Sequence, residues 1–157
     1  MSGIKQTFVT KLTDVNSTAQ EPLGSLRFEG NKVYKYVKLS NVTAAVAVAA
    51  GSLIAYLAAT GYATHTVVSD NNDADSAVFA AGVTQAVAAG ALLTDYYLWI
   101  QVKGAATLDT SVGSGAAGSP FYLGATDKTA AIMSAATQSK AGVSMNTTTG
   151  VCLDCPF

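Results

Sequence analysis

One tripeptide punctuates this chain: Ala49-Ala50-Gly51, Ala80-Ala81-Gly82, Ala88-Ala89-Gly90 and Ala116-Ala117-Gly118, with a degenerate fifth copy at Lys140-Ala141-Gly142. Each copy sits at the edge of a short apolar run. Two of the stretches that it opens are alike. Gly51-Ser52-Leu53-Ile54-Ala55-Tyr56-Leu57 leads to Phe79-Ala80-Ala81-Gly82-Val83, and Gly118-Ser119-Pro120-Phe121-Tyr122-Leu123-Gly124 leads to Lys140-Ala141-Gly142-Val143. Turn glycines recurring between Val, Ala and Thr segments suggest a small all-β protein with a partly duplicated unit. Such a chain is rich in strands and poor in catalytic groups, so its function is expected in a surface rather than a pocket.

Composition sharpens that expectation. Of 157 residues, 12% are charged and 50% hydrophobic, with a net charge of −1; soluble domains usually carry about 25% charged residues. A surface so poor in charge is weakly protected against association, which implies burial against partner chains. Near-neutrality argues against nucleic acid, since Lys32, Lys35 and Lys38 form the one basic cluster and read as a solvated strand surface. The stretch from Leu39 to Ser69 has no Asp, Glu, Lys or Arg. It is long enough to span a bilayer. It is also Ala-, Val- and Thr-rich, broken at Gly51-Ser52 and Thr60-Gly61, and contains His65, so no membrane association is expected. The N-terminus lacks an apolar core after a basic start, and synthesis in a cytoplasm is expected.

Residues 1–22 read as an N-terminal arm, with Ile4, Phe8 and Val9 able to add a strand to a partner. Residues 23–157 read as one β-rich domain. The strongest local signal is Gly30-Asn31 between Leu26-Arg27-Phe28-Glu29 and Lys32-Val33-Tyr34-Lys35-Tyr36-Val37-Lys38. A two-residue loop beginning with Gly suits a type II′ hairpin, pairing Glu29 with Lys32, Phe28 with Val33 and Arg27 with Tyr34. Leu26, Phe28, Val33 and Val37 then share an apolar face, where Lys35 is the exception and must snorkel or reach a neighbour. Further strands are expected in 42–48 and 53–57, where helix is the competitor because Ala is the strongest helix former, in 64–68, near 119–123, 130–133, 140–145 and 150–153, and above all in Tyr96 to Val102, closed by Gly104; residues 76–79 are expected to re-enter the core.

Groups able to do chemistry are few. His65 is the sole histidine, and nothing around it resembles a nucleophile elbow. Cys152-Leu153-Asp154-Cys155 lacks the strand-to-helix context of a redox pair and the extra ligands of a zinc site; free thiols are favoured over a disulfide or a metal. Asp70, Asp73 and Asp75 do not fit calcium-loop spacing and read as a solvated loop. No cofactor and no enzymatic activity are expected.

The stretch Leu23-Gly24-Ser25-Leu26-Arg27-Phe28-Glu29-Gly30-Asn31-Lys32-Val33-Tyr34-Lys35-Tyr36-Val37, together with Ala49 to Ile54, Ala81-Gly82-Val83, Gly90 and Leu98 to Gly104, resembles capsid decoration (cement) proteins of tailed bacteriophages. The resemblance covers roughly residues 23–145 and names no active site. It implies a small β-barrel or β-sandwich, β-tulip-like, with an extended arm. It also implies a homotrimer on the outside of an icosahedral head that reinforces contacts between major capsid proteins. In that setting Ile4, Phe8 and Val9 would touch the capsid, and Arg27, Tyr34 and Tyr36 would make oligomer or surface contacts. The competing reading is a phage-fibre or carbohydrate-binding adhesive module, using Tyr34, Tyr36, Tyr96, Tyr97 and Trp99. Core packing is the commoner fate of Tyr97 and Trp99, which share a strand face.

Overall fold

A computed structural model describes residues 7–58, 60–71, 76–113, 116–134, 140–145 and 149–155. Among the described residues nearly all regular structure is strand, so the fold is all-β as the glycine spacing predicts. The strands are β1 (Val15–Asn16), β2 (Leu26–Glu29), β3 (Lys32–Leu39), β4 (Leu53–Leu57), β5 (Thr66–Val68), β6 (Ser76–Thr84), β7 (Tyr96–Thr107), β8 (Pro120–Leu123), β9 (Ala130–Ile132), β10 (Lys140–Ser144) and β11 (Gly150–Asp154). A single helical turn, α1 (Gly61–Thr64), precedes β5.

Strand β3 pairs in parallel with β5. Antiparallel pairings then run β5–β4, β4–β6, β6–β7 and β7–β3, which closes a circuit of five strands. Beyond Gln101, β7 continues into a second run of pairings, β7–β11–β10–β8–β9. Gly104 therefore does not end the strand. Its missing side chain instead lets the β2–β3 hairpin tip lie against β7, where a Cβ would come within 2.5 Å of the Asn31 carbonyl. The hairpin has the predicted register, Glu29 opposite Lys32 through Leu26 opposite Lys35.

Strand alternation on β3 separates two apolar clusters. Val33, Val37 and Leu39 face the main core with Ile54, Tyr56, Leu98, Ile100 and Phe121. Tyr34 and Tyr36 face the other way with Trp99. Lys35 lies on the core side and is 2% exposed. It reaches a neighbour as its position requires: its Nζ donates to Tyr56 Oη at 3.0 Å and sits 5.1 Å and 5.2 Å from the ring centres of Tyr56 and Tyr62.

The duplicated unit is real at the level of hydrogen bonds. Ile54 pairs with Gly82, and Phe121, at the equivalent place, pairs with Gly142. In the first copy Ser52 N donates to Ala49 O, Gly51 N to Thr84 O, Thr84 N to Ser52 O and Thr84 Oγ1 to Ala49 O. In the second, Ser119 N donates to Ala116 O, Gly118 N to Ser144 O, Ser144 N to Ser119 O and Ser144 Oγ to Ala116 O. Gly51 and Gly118 both turn the chain at positive φ, 101° and 85°, a conformation that glycine adopts freely. Each copy is thus an Ala-Ala-Gly-Ser turn clamped by the hydroxyl residue two places after the paired glycine.

Two expectations are corrected. Residues 42–48 do not form a strand; only isolated bridges, Asn41 to Leu92 and Val48 to Ala88, flank them. Side chains satisfy this run's backbone instead: Asp70 accepts from Thr43 N and Ala44 N, Asn41 and Ser69 donate to Val46 O, and Lys128 donates to Ala47 O. The described part of the arm, residues 7–22, is not extended away from the domain. It returns along β7, where β1 pairs Val15 with Leu98 and Asn16 with Tyr97. The uncharged stretch 39–69 resolves into β4, α1 and β5, and among the described residues no helix is long and apolar enough to cross a membrane.

Candidate interaction surface

The residues singled out in the arm and hairpin converge on one another. Phe8 packs edge-on against Trp99, with ring centres 5.1 Å apart, and Tyr36 meets the same indole at 5.1 Å. The Trp99 Nε1–H donates to Thr10 Oγ1 at 2.9 Å. Glu21 accepts from the backbone of Val9 and Thr10 and from the Thr10 hydroxyl. Arg27 lies over the Phe8 ring, donates to Thr10 O and pairs with Glu29. The segment therefore roofs the aromatic cluster. Tyr34 and Tyr36 are 5% and 0% exposed, so they are interior residues and not surface contacts. Burial and the nearby Glu29 carboxylate raise the Tyr34 hydroxyl above its ordinary range. Phe8 is half-buried, Arg27 is partly exposed and Val9 is 76% exposed. Ile4 lies outside the described residues.

A different apolar surface was not legible as such in the sequence. Loops 40–50 and 85–94 are fastened to each other through Asn41, which is 1% exposed. Its Nδ2 donates to Gly90 O and Ser69 Oγ, both at 2.9 Å, and its Oδ1 accepts from Ser69 N. Leu93 N donates to Asn41 O at 2.9 Å. A parallel bridge joins Asn41 to Leu92. Asp70, 1% exposed, spends its Oδ2 on the backbone of this loop, so it is a loop anchor rather than a solvated carboxylate; Asp73 and Asp75 lie outside the described residues. These anchors hold out four large apolar side chains: Val42, Val87, Leu92 and Leu93. Leu93 is 75% exposed and adopts φ 53°, a left-handed conformation that costs a non-glycine residue about 1 kcal/mol or more. No Asp, Glu, Lys or Arg occurs between Ser76 and Thr94. The signal available beforehand was this absence of charge; which residues would be exposed depended on Asn41.

The remaining features have little chemistry. Ser52 Oγ donates to Asp109 Oδ2 at 2.5 Å, with no histidine joining them, and serves the first Ala-Ala-Gly turn. Both cysteines are free, Cys152 exposed and Cys155 buried. Burial pushes the Cys155 thiol up to about 12, which makes it inert. Two adjoining hollows of about 540 and 590 Å³ share Ala105 and Met145 in their linings, the first beside β6 and β7 and the second beside β7, β10 and β11. Among the described residues no three His, Cys, Asp or Glu side chains gather to hold a metal.

The chain matches no protein-family model, no curated protein and no solved structure.

Proposed function

We propose that this chain is a structural virion protein. In this reading it binds the outer surface of an icosahedral phage head as a homotrimer and stabilises contacts between major capsid proteins. One observation carries the reading: an uncharged loop pair, anchored by Asn41 and Asp70, presents Val42, Val87, Leu92 and Leu93 to solvent. Evolution rarely leaves a strained, exposed leucine such as Leu93 on a monomer's surface without use. Apolar side chains on a fixed backbone favour association because little ordering entropy is lost on contact. A contact of about 800 Å² per partner reaches standard size, and many copies on one shell add avidity. The resemblance of residues 23–145 to decoration proteins points the same way.

The adhesive-module reading is weaker, because three of its five aromatics, Tyr34, Tyr36 and Trp99, are buried, and Tyr96 and Tyr97 are only partly exposed. The test is co-sedimentation of purified protein with undecorated heads, comparing wild type with Leu93→Asp. The reading expects saturable binding that the variant loses at least about tenfold. Equal binding by both proteins would remove this surface from the contact; no binding by wild type would remove the capsid.

A further inference from the structure

The two Ala-Ala-Gly-Ser turns are built alike but covered differently. At the first turn, the end of β7 folds over it. Asp109 N donates to Gly51 O at 3.0 Å and the Asp109 carboxylate accepts from Ser52 Oγ. Gly51 and Ser52 are buried in consequence, and a Cβ on Gly51 would come within 2.7 Å of Asp109 N. At the second turn, Ala116, Ala117 and Gly118 are exposed and Ser119 is half-buried. A Cβ on Gly118 would meet nothing within 4 Å. Among the described residues, no group occupies the Gly118 carbonyl or the Ser119 hydroxyl as Asp109 occupies their equivalents.

We propose that the Ala116–Ser119 turn is a docking point for an aspartate-bearing extended segment of a partner polypeptide. The first turn states the chemistry of the occupant, because the two turns share four internal hydrogen bonds and differ in their cover. The partner supplies a backbone N–H to Gly118 O and a carboxylate to the Ser119 hydroxyl. A hydrogen bond to a charged acceptor is the stronger of the two, so the carboxylate sets specificity and the backbone sets orientation. Small side chains at Ala116 and Ala117 leave room for a backbone to approach. This proposal stands apart from the virion reading, since any protein partner with that segment fits.

The chain itself provides the probe: a capped peptide of its own residues 105–111, Ala-Ala-Thr-Leu-Asp-Thr-Ser. It is titrated at millimolar concentration into ¹⁵N-labelled full-length protein. The expected result is saturable shifts of the Gly118 and Ser119 amides, with Gly51 and Ser52 unmoved because their site is already filled. Replacing Asp by Ala in the peptide, or Ser119→Ala in the protein, weakens binding by about tenfold or more. Shifts at Gly118 and Ser119 that depend on protein concentration alone, and that Ser119→Ala removes, would support the proposal and make a second copy the occupant. No shift at the turn, shifts elsewhere only, or equal binding of the Ala peptide would overturn it.

Discussion

Thr84 and Ser144 do the same work 60 positions apart, since each closes its turn by giving a hydroxyl proton to an alanine carbonyl. Both are buried, at 0% and 1% exposure. Removing either hydroxyl takes away one of two hydrogen bonds on its alanine carbonyl, which keeps the one from Ser52 N or Ser119 N, at a cost of about 0.5–1.5 kcal/mol. Thr84→Val and Ser144→Ala are each expected to lower stability by that amount in urea denaturation; a neutral result for either would mean that its turn holds without the clamp. The repeat itself was readable, because Gly51-Ser52 and Gly118-Ser119 stand in plain sequence. The clamp was not, because it joins residues 35 and 28 positions apart. Exposure of Leu93 was equally hidden: its φ of 53° follows from a hydrogen bond to Asn41, which no local pattern announces.

At the scale of elements, β3 shows what local reasoning reaches. Gly30-Asn31 fixes the hairpin register, and the register fixes which side chains share a face, so the inward position of Lys35 followed. That Tyr34 and Tyr36 would be roofed did not follow, because the roof comes from residues 7–22 and depends on the partners Glu21 and Trp99. Deleting residues 1–22 is therefore expected to uncover Trp99, the sole tryptophan. Its fluorescence emission should shift to the red with a loss of stability; unchanged emission would show that the segment does not cover the indole. Lys35 gives the element a pH dependence. Burial lowers its amine below the ordinary 10.5, so the unfolded chain binds the proton more tightly. Stability rises with pH between the native value and 10.5, and the penalty is complete below that interval. His65, lowered from 6.5 by burial and by Lys35, adds the same sign at more acid pH. Cys155, raised by burial, acts oppositely above pH 9, and Tyr56, also raised by burial, acts oppositely above pH 10. Lys35→Met removes the first effect and also the part of the His65 shift that Lys35 causes. Its denaturation midpoint should exceed that of wild type at pH 7, with the gap narrowing towards pH 10. A constant gap, or a less stable variant at pH 7, would contradict this reading of Lys35.

Across the whole molecule, the circuit β3–β5–β4–β6–β7 pairs strands far apart in sequence, and β7 passes from it to β11 and the second repeat. The all-β class was legible because turn glycines and β-branched residues act locally. The circuit was not, because it needs the parallel β3–β5 pairing and two non-sequential partners for β7. What this architecture puts outside is unusual for a lone protein: an uncharged loop pair bearing exposed leucines, and an Ala-Ala-Gly-Ser turn without the cover its twin has. Both are consistent with a protein whose work is contact. The most direct measurement is quantitative mass spectrometry of gradient-purified, DNA-filled particles that encode this chain. The proposed role predicts copy numbers close to those of the major capsid protein; absence from the particles would contradict it.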